Sequence, residues 1–256
     1  MIRLIVGLGN PGKEHERTRH NAGFWLVERF ASSNGINLRK DPKFQALVGR
    51  HEASGAWLLL PQSFMNASGR PVQMLAGFFK IKPDEILVVH DELDFPPGTA
   101  RIKQGGGIAG HNGLKDISQR LATHDYWRLR LGVGKPPAGR EGADYVLEKP
   151  PAEERAAIDQ AIARSLEVLP QILSGDLQGA MNKLHTEEKA APAKKEPDTK
   201  EVDRKEPPRK APERKEPDPK PSKVQPAAPA AAAPAPEAAK PSGIKGLFSG
   251  LTGRKK

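Results

Sequence analysis

Four short stretches of this chain carry side chains that could do chemistry. Residues 10–21 hold Asn10, Arg19, His20 and Asn21; residues 61–66 end in Asn66; residues 90–94 hold Asp91; residues 110–113 hold His111 and Asn112. A histidine, a carboxylate and the carboxamides of Asn10, Asn66 and Asn112 would, in one cleft, suit a general base held by an acid. The amides could grip a carbonyl or a sugar. The chain has no Cys, so a thiol nucleophile, a disulfide framework and a Cys-based metal site are excluded. It has no G-x-S-x-G elbow and no H-E-x-x-H spacing either. Attack by a His-assisted water is the simplest mechanism left. Singly, each residue has a plainer use: Asn66 and Asn112 as helix caps, Asp91 in a turn before prolines, His111 as a solvated loop residue.

The chain opens on an apolar run, Ile2, Leu4, Ile5, Val6 and Leu8, broken by Gly7, Gly9 and Gly12. Such a run reads as a buried strand emptying into a loop. The glycines fit G-x-G-x-x-G, but that dinucleotide fingerprint needs a helix to begin on the loop. Pro11 interrupts, residues 13–18 contain nothing apolar, and the first amphipathic helix is expected over about 21–34, with Ala22, Trp25, Leu26 and Phe30 inward and Gly35 at its end. Glu28 has the right distance for a ribose-binding acid but falls inside that helix. A tight strand-to-loop turn explains the glycines as well.

Further strands are expected at 44–48, 57–60, 86–89, 99–103 and 127–133. Helices are expected over a segment starting after Ser68, a candidate cap, and over 114–121, 152–173 and 177–184. The alternation predicts an α/β domain, a mixed, mostly parallel sheet flanked by helices. In open sheets of this class the carboxyl ends of strands converge on one crevice, which would gather the four stretches.

The net charge is +10, of which +6 falls in residues 187–256, together with 13 of the 25 prolines. This favours an anionic partner. The composition of residues 187–242, with Lys-Glu-Pro recurring at 195, 205 and 215 and then an Ala/Pro-rich run, predicts a disordered linker. Residues 243–256 place Ile244, Leu247, Phe248 and Leu251 at helical spacing beside basic residues, a possible docking segment for a ribosome, a membrane surface or a protein. Residues 1–186 can build one domain. No stretch is apolar enough to span a bilayer and no leader h-region is evident, so a cytoplasmic location is expected.

In order along residues 1–185 stand GLGNPG at 7–12, TRHNAG at 18–23, FMNxSG at 64–69, HDELD at 90–94, GGG and GHNGLK within 105–115, and RLRLG at 128–132. With these motifs the chain resembles bacterial peptidyl-tRNA hydrolases, which cleave the ester joining a peptide to tRNA. The resemblance implies His20 as catalytic base and Asp91 as its carboxylate. It implies that Asn10 senses a blocked amino group, that Phe64, Asn66 and Asn112 bind substrate, and that Met65 and His111 line the cleft. It assigns Lys103 and Arg130 to a clamp on the tRNA 5′-phosphate, and implies a monomer without metal or cofactor. At a tRNA-contact position the family usually has Tyr where this chain has His15.

Overall fold

The computed structural model describes residues 1–190, with side chains to 186. The first four residues of the expected linker, 187–190, continue a helix that starts at Leu177; the rest of the linker and the docking segment lie outside the described residues. Seven strands form one sheet in the order β2-β3-β4-β1-β5-β7-β6. The middle is parallel: β1 (Leu4–Gly7) runs between β4 (Ala56–Pro61) and β5 (Ile86–Glu92), and β5 pairs with β7 (Trp127–Gly132). Both edges are antiparallel. On one side β2 (Arg39–Asp41) and β3 (Ala46–His51) lead into β4, and on the other β6 (Ala100–Gln104) lies against β7.

The continuous apolar runs of β1, β4 and β5 follow from burial on both faces. Ile5, Leu87, Val89, Leu129 and Leu131 face α1 (Ala22–Ser33), α5 (Ala152–Ser174) and α6 (Leu177–Ala190). Leu4, Val6, Ile86 and Val88 face the core built with α2 (Gly69–Phe78) and α3 (Asn112–Leu121). His185 on α6 accepts a hydrogen bond from the Ile102 amide at 3.2 Å, so α6 covers part of the β6 edge. Among the described residues no helix is long and apolar enough to cross a membrane.

One contact sets the position of everything that follows. A Cβ on Gly23 would come within 2.3 Å of the Val89 carbonyl and 2.5 Å of the Leu8 amide. Only glycine lets the start of α1 lie backbone to backbone on the ends of β1 and β5. The Phe24 amide then bonds the Leu8 carbonyl at 3.1 Å, and the Leu8 amide bonds Val89 at 3.0 Å. The glycine loop is followed by turns and a 3₁₀ turn at Arg19–Asn21, and the helix begins only at Ala22. That leaves no helix N-terminus on the loop for a pyrophosphate.

Several expectations need correction. β5 runs on through His90, Asp91 and Glu92, so Asp91 is a buried strand residue and not part of a turn. Ser68 does not cap α2: its hydroxyl bonds the Met65 carbonyl at 2.9 Å, and Asp116 of α3 accepts from the Gly69 amide at 2.7 Å instead. Arg128, on β7, is buried, and its guanidinium bonds the Gly105 and Gly107 carbonyls. The 44–48 strand begins later, at Ala46, since Gln45 has a φ of 53°. The short polar strand β2 and the five-residue helix α4 (Gly142–Val146) had no periodicity to announce them.

Candidate active site

The end of β1 and the 3₁₀ turn are locked together by one side chain. Asn21 accepts from the Asn10 amide and donates to the Asn10 carbonyl, both at 2.9 Å. These bonds fix the Asn10 main chain, and its carboxamide is held separately, Oδ1 accepting from the Met65 amide at 2.7 Å. Its NH2 group is the remaining donor.

His20, next in this turn, places Nδ1 2.9 and 3.1 Å from the two carboxylate oxygens of Asp91. His111 reaches the same Oδ1 with Nε2 at 3.0 Å. The two imidazoles present different atoms, and the reason is local. His111 is the N-cap of α3, and its Nδ1 accepts from the Gly113 and Leu114 amides at 3.2 and 3.4 Å. The proton of His111 therefore sits on Nε2, facing Asp91. In His20 the Nδ1 proton faces Asp91, which leaves the Nε2 lone pair as the free basic site.

Burial opposes the Asp91 charge, yet the two imidazoles hold its carboxyl well below the usual carboxylate range. Burial likewise opposes charge on His20, but the Asp91 carboxylate, by charge and by hydrogen bond, raises it above its ordinary 6.5. His90, on the same strand, is pushed the other way. Its burial, with His111 nearby, holds it well below 6.5, and its Nδ1–H donates to the Asp91 carbonyl at 2.6 Å.

These groups line a cleft of about 480 Å³. Nine of the sequence-predicted residues meet there: Asn10, His15, His20, Phe64, Met65, Asn66, Asp91, His111 and Asn112. His15 meets Phe64 edge-on at 6.4 Å, and Phe64 is 66% exposed. The sequence reading missed His90, Glu92, Ile108 and the wall formed by α4 with Leu147. His90 and Glu92 stood inside a motif already quoted; α4 left no signal. Lys103 and Arg130 do not line the cleft. They lie on the neighbouring β6–β7 edge, where β6 pairs Lys103 with Arg128 and Arg101 with Arg130.

His20, Asp91 and His111 also stand close enough to ligate a metal ion, one atom from each lying within 4.8 Å of the others. An ion between the carboxylate and these nitrogens would have to displace both hydrogen bonds, and the observed separations are those of hydrogen bonds. The geometry fits a base oriented by an acid and walled by amide donors, a set suited to activating water.

The family model for peptidyl-tRNA hydrolases matches residues 4–193. The chain is 54% identical over 196 residues to a peptidyl-tRNA hydrolase of Cupriavidus pinatubonensis, covering 73% of this chain and 98% of that one. It is 52% identical over 191 residues to one of Nitrosospira multiformis, covering 74% and 100%. The crystal structure of the Acinetobacter baumannii peptidyl-tRNA hydrolase is similar at a TM-score of 0.69 and 45% identity, over 72% of this chain and 94% of that one.

Proposed function

The chain belongs to the peptidyl-tRNA hydrolase family, and from that premise we propose that it hydrolyses the ester between a peptide and the 3′ end of tRNA, with His20 activating the water. The observation that carries the mechanism is the His20–Asp91 pair, which commits Nδ1 and leaves Nε2 basic. His20 Nε2 takes a proton as the water oxygen bonds to the ester carbonyl. The tetrahedral adduct then collapses, and the proton leaves with the tRNA 3′-oxygen. Asp91 stabilises the imidazolium between these steps. Asn112 and Asn66, at the cleft rim, supply amide donors to the developing oxyanion and the substrate, and Asn10 offers its free NH2 group to the carbonyl oxygen of the acyl group on the blocked amine. Phe64, Met65 and His111 complete the walls, with His15 set edge-on to Phe64. Lys103 and Arg130 receive phosphate by charge, which suits acceptance of every tRNA.

The protein acts as a monomer in the cytoplasm, without metal or cofactor, and residues 187–256 supply a secondary contact to ribosomal RNA, a membrane surface or a protein. The test is release of an N-acetylated amino acid from tRNA by the wild type and by His20→Ala, with free aminoacyl-tRNA as control and with chelator added. Cleavage of the blocked ester alone, insensitive to chelator and lost in His20→Ala while tRNA still binds, is the expected result. Binding without cleavage by the wild type would overturn the proposal.

A further inference from the structure

The β6–β7 edge carries four cations on one face, because Arg101 is paired with Arg130 and Lys103 with Arg128. They are not equivalent. Arg128 is buried and committed to the carbonyls of the glycine loop. The Arg101 guanidinium lies 5.2 Å from the Phe95 ring. Lys103 is exposed and has no ion-pair partner among the described residues. Arg130 is held on two sides: Nε donates to Glu92 Oε2 at 2.9 Å, and its Cζ sits 4.2 Å from the centre of the Phe95 ring.

Glu92 is itself fixed. It is buried, its Oε1 accepts from the Asp94 amide at 3.2 Å, and its backbone carbonyl accepts from Val133 at 3.1 Å. A guanidinium is a planar fork of five N–H donors. With Nε anchored and one face covered by a ring, its terminal amines keep their donors and lose their freedom to turn. A lysine on the same face has charge but no such direction.

We infer that Glu92 and Phe95 are positioning residues that hold the Arg130 guanidinium by Nε and by one face, aiming its terminal amines at a substrate phosphate, while Lys103 supplies the unpaired charge. This rests on the reading of Lys103 and Arg130 as the phosphate-binding pair. It carries a sign that distinguishes it from simple electrostatics. Glu92 is negative and close to the proposed phosphate, so by charge alone its removal tightens binding. By positioning, its removal weakens binding.

The experiment compares N-acetylaminoacyl-tRNA bearing a 5′-phosphate with the same substrate after phosphatase treatment. Glu92→Gln is expected to raise KM for the phosphorylated substrate by up to about tenfold, the worth of one hydrogen bond, with a smaller change for the dephosphorylated one. Phe95→Leu, which keeps the carboxylate, shifts KM in the same direction. Lys103→Ala lowers the slope of log KM against log salt by about one unit, and Glu92→Gln does not. If Lys103→Ala raises KM while Glu92→Gln and Phe95→Leu leave it unchanged or lower it, the positioning inference is wrong. A fall in kcat on both substrates in Glu92→Gln would place its effect in the cleft and also overturn it. If neither Lys103→Ala nor Arg130→Ala alters the ratio between the two substrates, the phosphate reading itself fails.

Discussion

Asp91 is the residue on which the site's electrostatics turn. Two imidazole N–H groups donate to it, and its charge keeps His20 basic. Asp91→Asn removes that charge, so the acid limb of the pH–rate profile is expected to move to lower pH as the His20 pKa falls. The plateau rate is expected to drop by about 10²–10⁴, the range of a lost general-base contribution. A limb that stays in place would remove Asp91 from its role. The same groups link stability to pH. The carboxyl of Asp91 is lowered from 3.8, so its contribution is present above that value and is lost as pH falls through the folded pKa. His20 is raised from 6.5, so its contribution is complete below 6.5 and is lost as pH rises through the folded pKa. His90 works against His20: it is held neutral, so its contribution is present above 6.5 and declines as pH falls below that value. Urea unfolding of the wild type and His20→Ala across this range should show their difference shrinking as pH rises past the His20 pKa.

At the scale of elements, two joints position the cleft. One is the backbone contact at Gly23. Because a Cβ there would meet the Val89 carbonyl and the Leu8 amide, neither of which can swing away, Gly23→Ala is expected to cost about 1–3 kcal/mol in unfolding experiments. The other joint is Arg19, beside His20. Its guanidinium is buried against the Tyr145 ring at 3.9 Å, pairs with Glu154 at 2.8 Å and reaches the carbonyls of Tyr145, Glu148 and Lys149. It ties the turn bearing His20 to the segment whose α4 and Leu147 form the far wall. Arg19→Lys keeps a charge for Glu154 but not the fork. A loss of about 1–2 kcal/mol in stability is expected, with a lower kcat/KM on blocked aminoacyl-tRNA. Unchanged kinetics would mean that the wall holds its place without this residue.

At the scale of the molecule, the charge is divided. Residues 187–256 carry +6 of the net +10, while the family match ends at residue 193. Removing 191–256 is therefore expected to leave cleavage of blocked aminoacyl-tRNA intact. Co-sedimentation with ribosomes or anionic vesicles should fall. Unchanged sedimentation with both would remove the RNA and membrane versions of the tail's role.

The sequence by itself determined the alternating α/β order, the buried parallel strands and most of the cleft. The apolar runs and glycines are local signals, and nearest-neighbour physics suffices to read them. Each of His20, Asp91, Asn10 and His111 has a plainer use taken singly; they were legible because they stand together at strand exits that open sheets of this class bring to one crevice. Only the tertiary structure decided that Asp91 lies within its strand, that Asp116 rather than Ser68 serves the start of α2, that Arg128 is buried, and that Glu92 grips Arg130. Each of these depends on a partner far away along the chain. Which proton His111 carries was decided by the start of α3 and by Asp91 acting on opposite edges of one ring. A sequence names the donors and acceptors; the fold decides which of them meet.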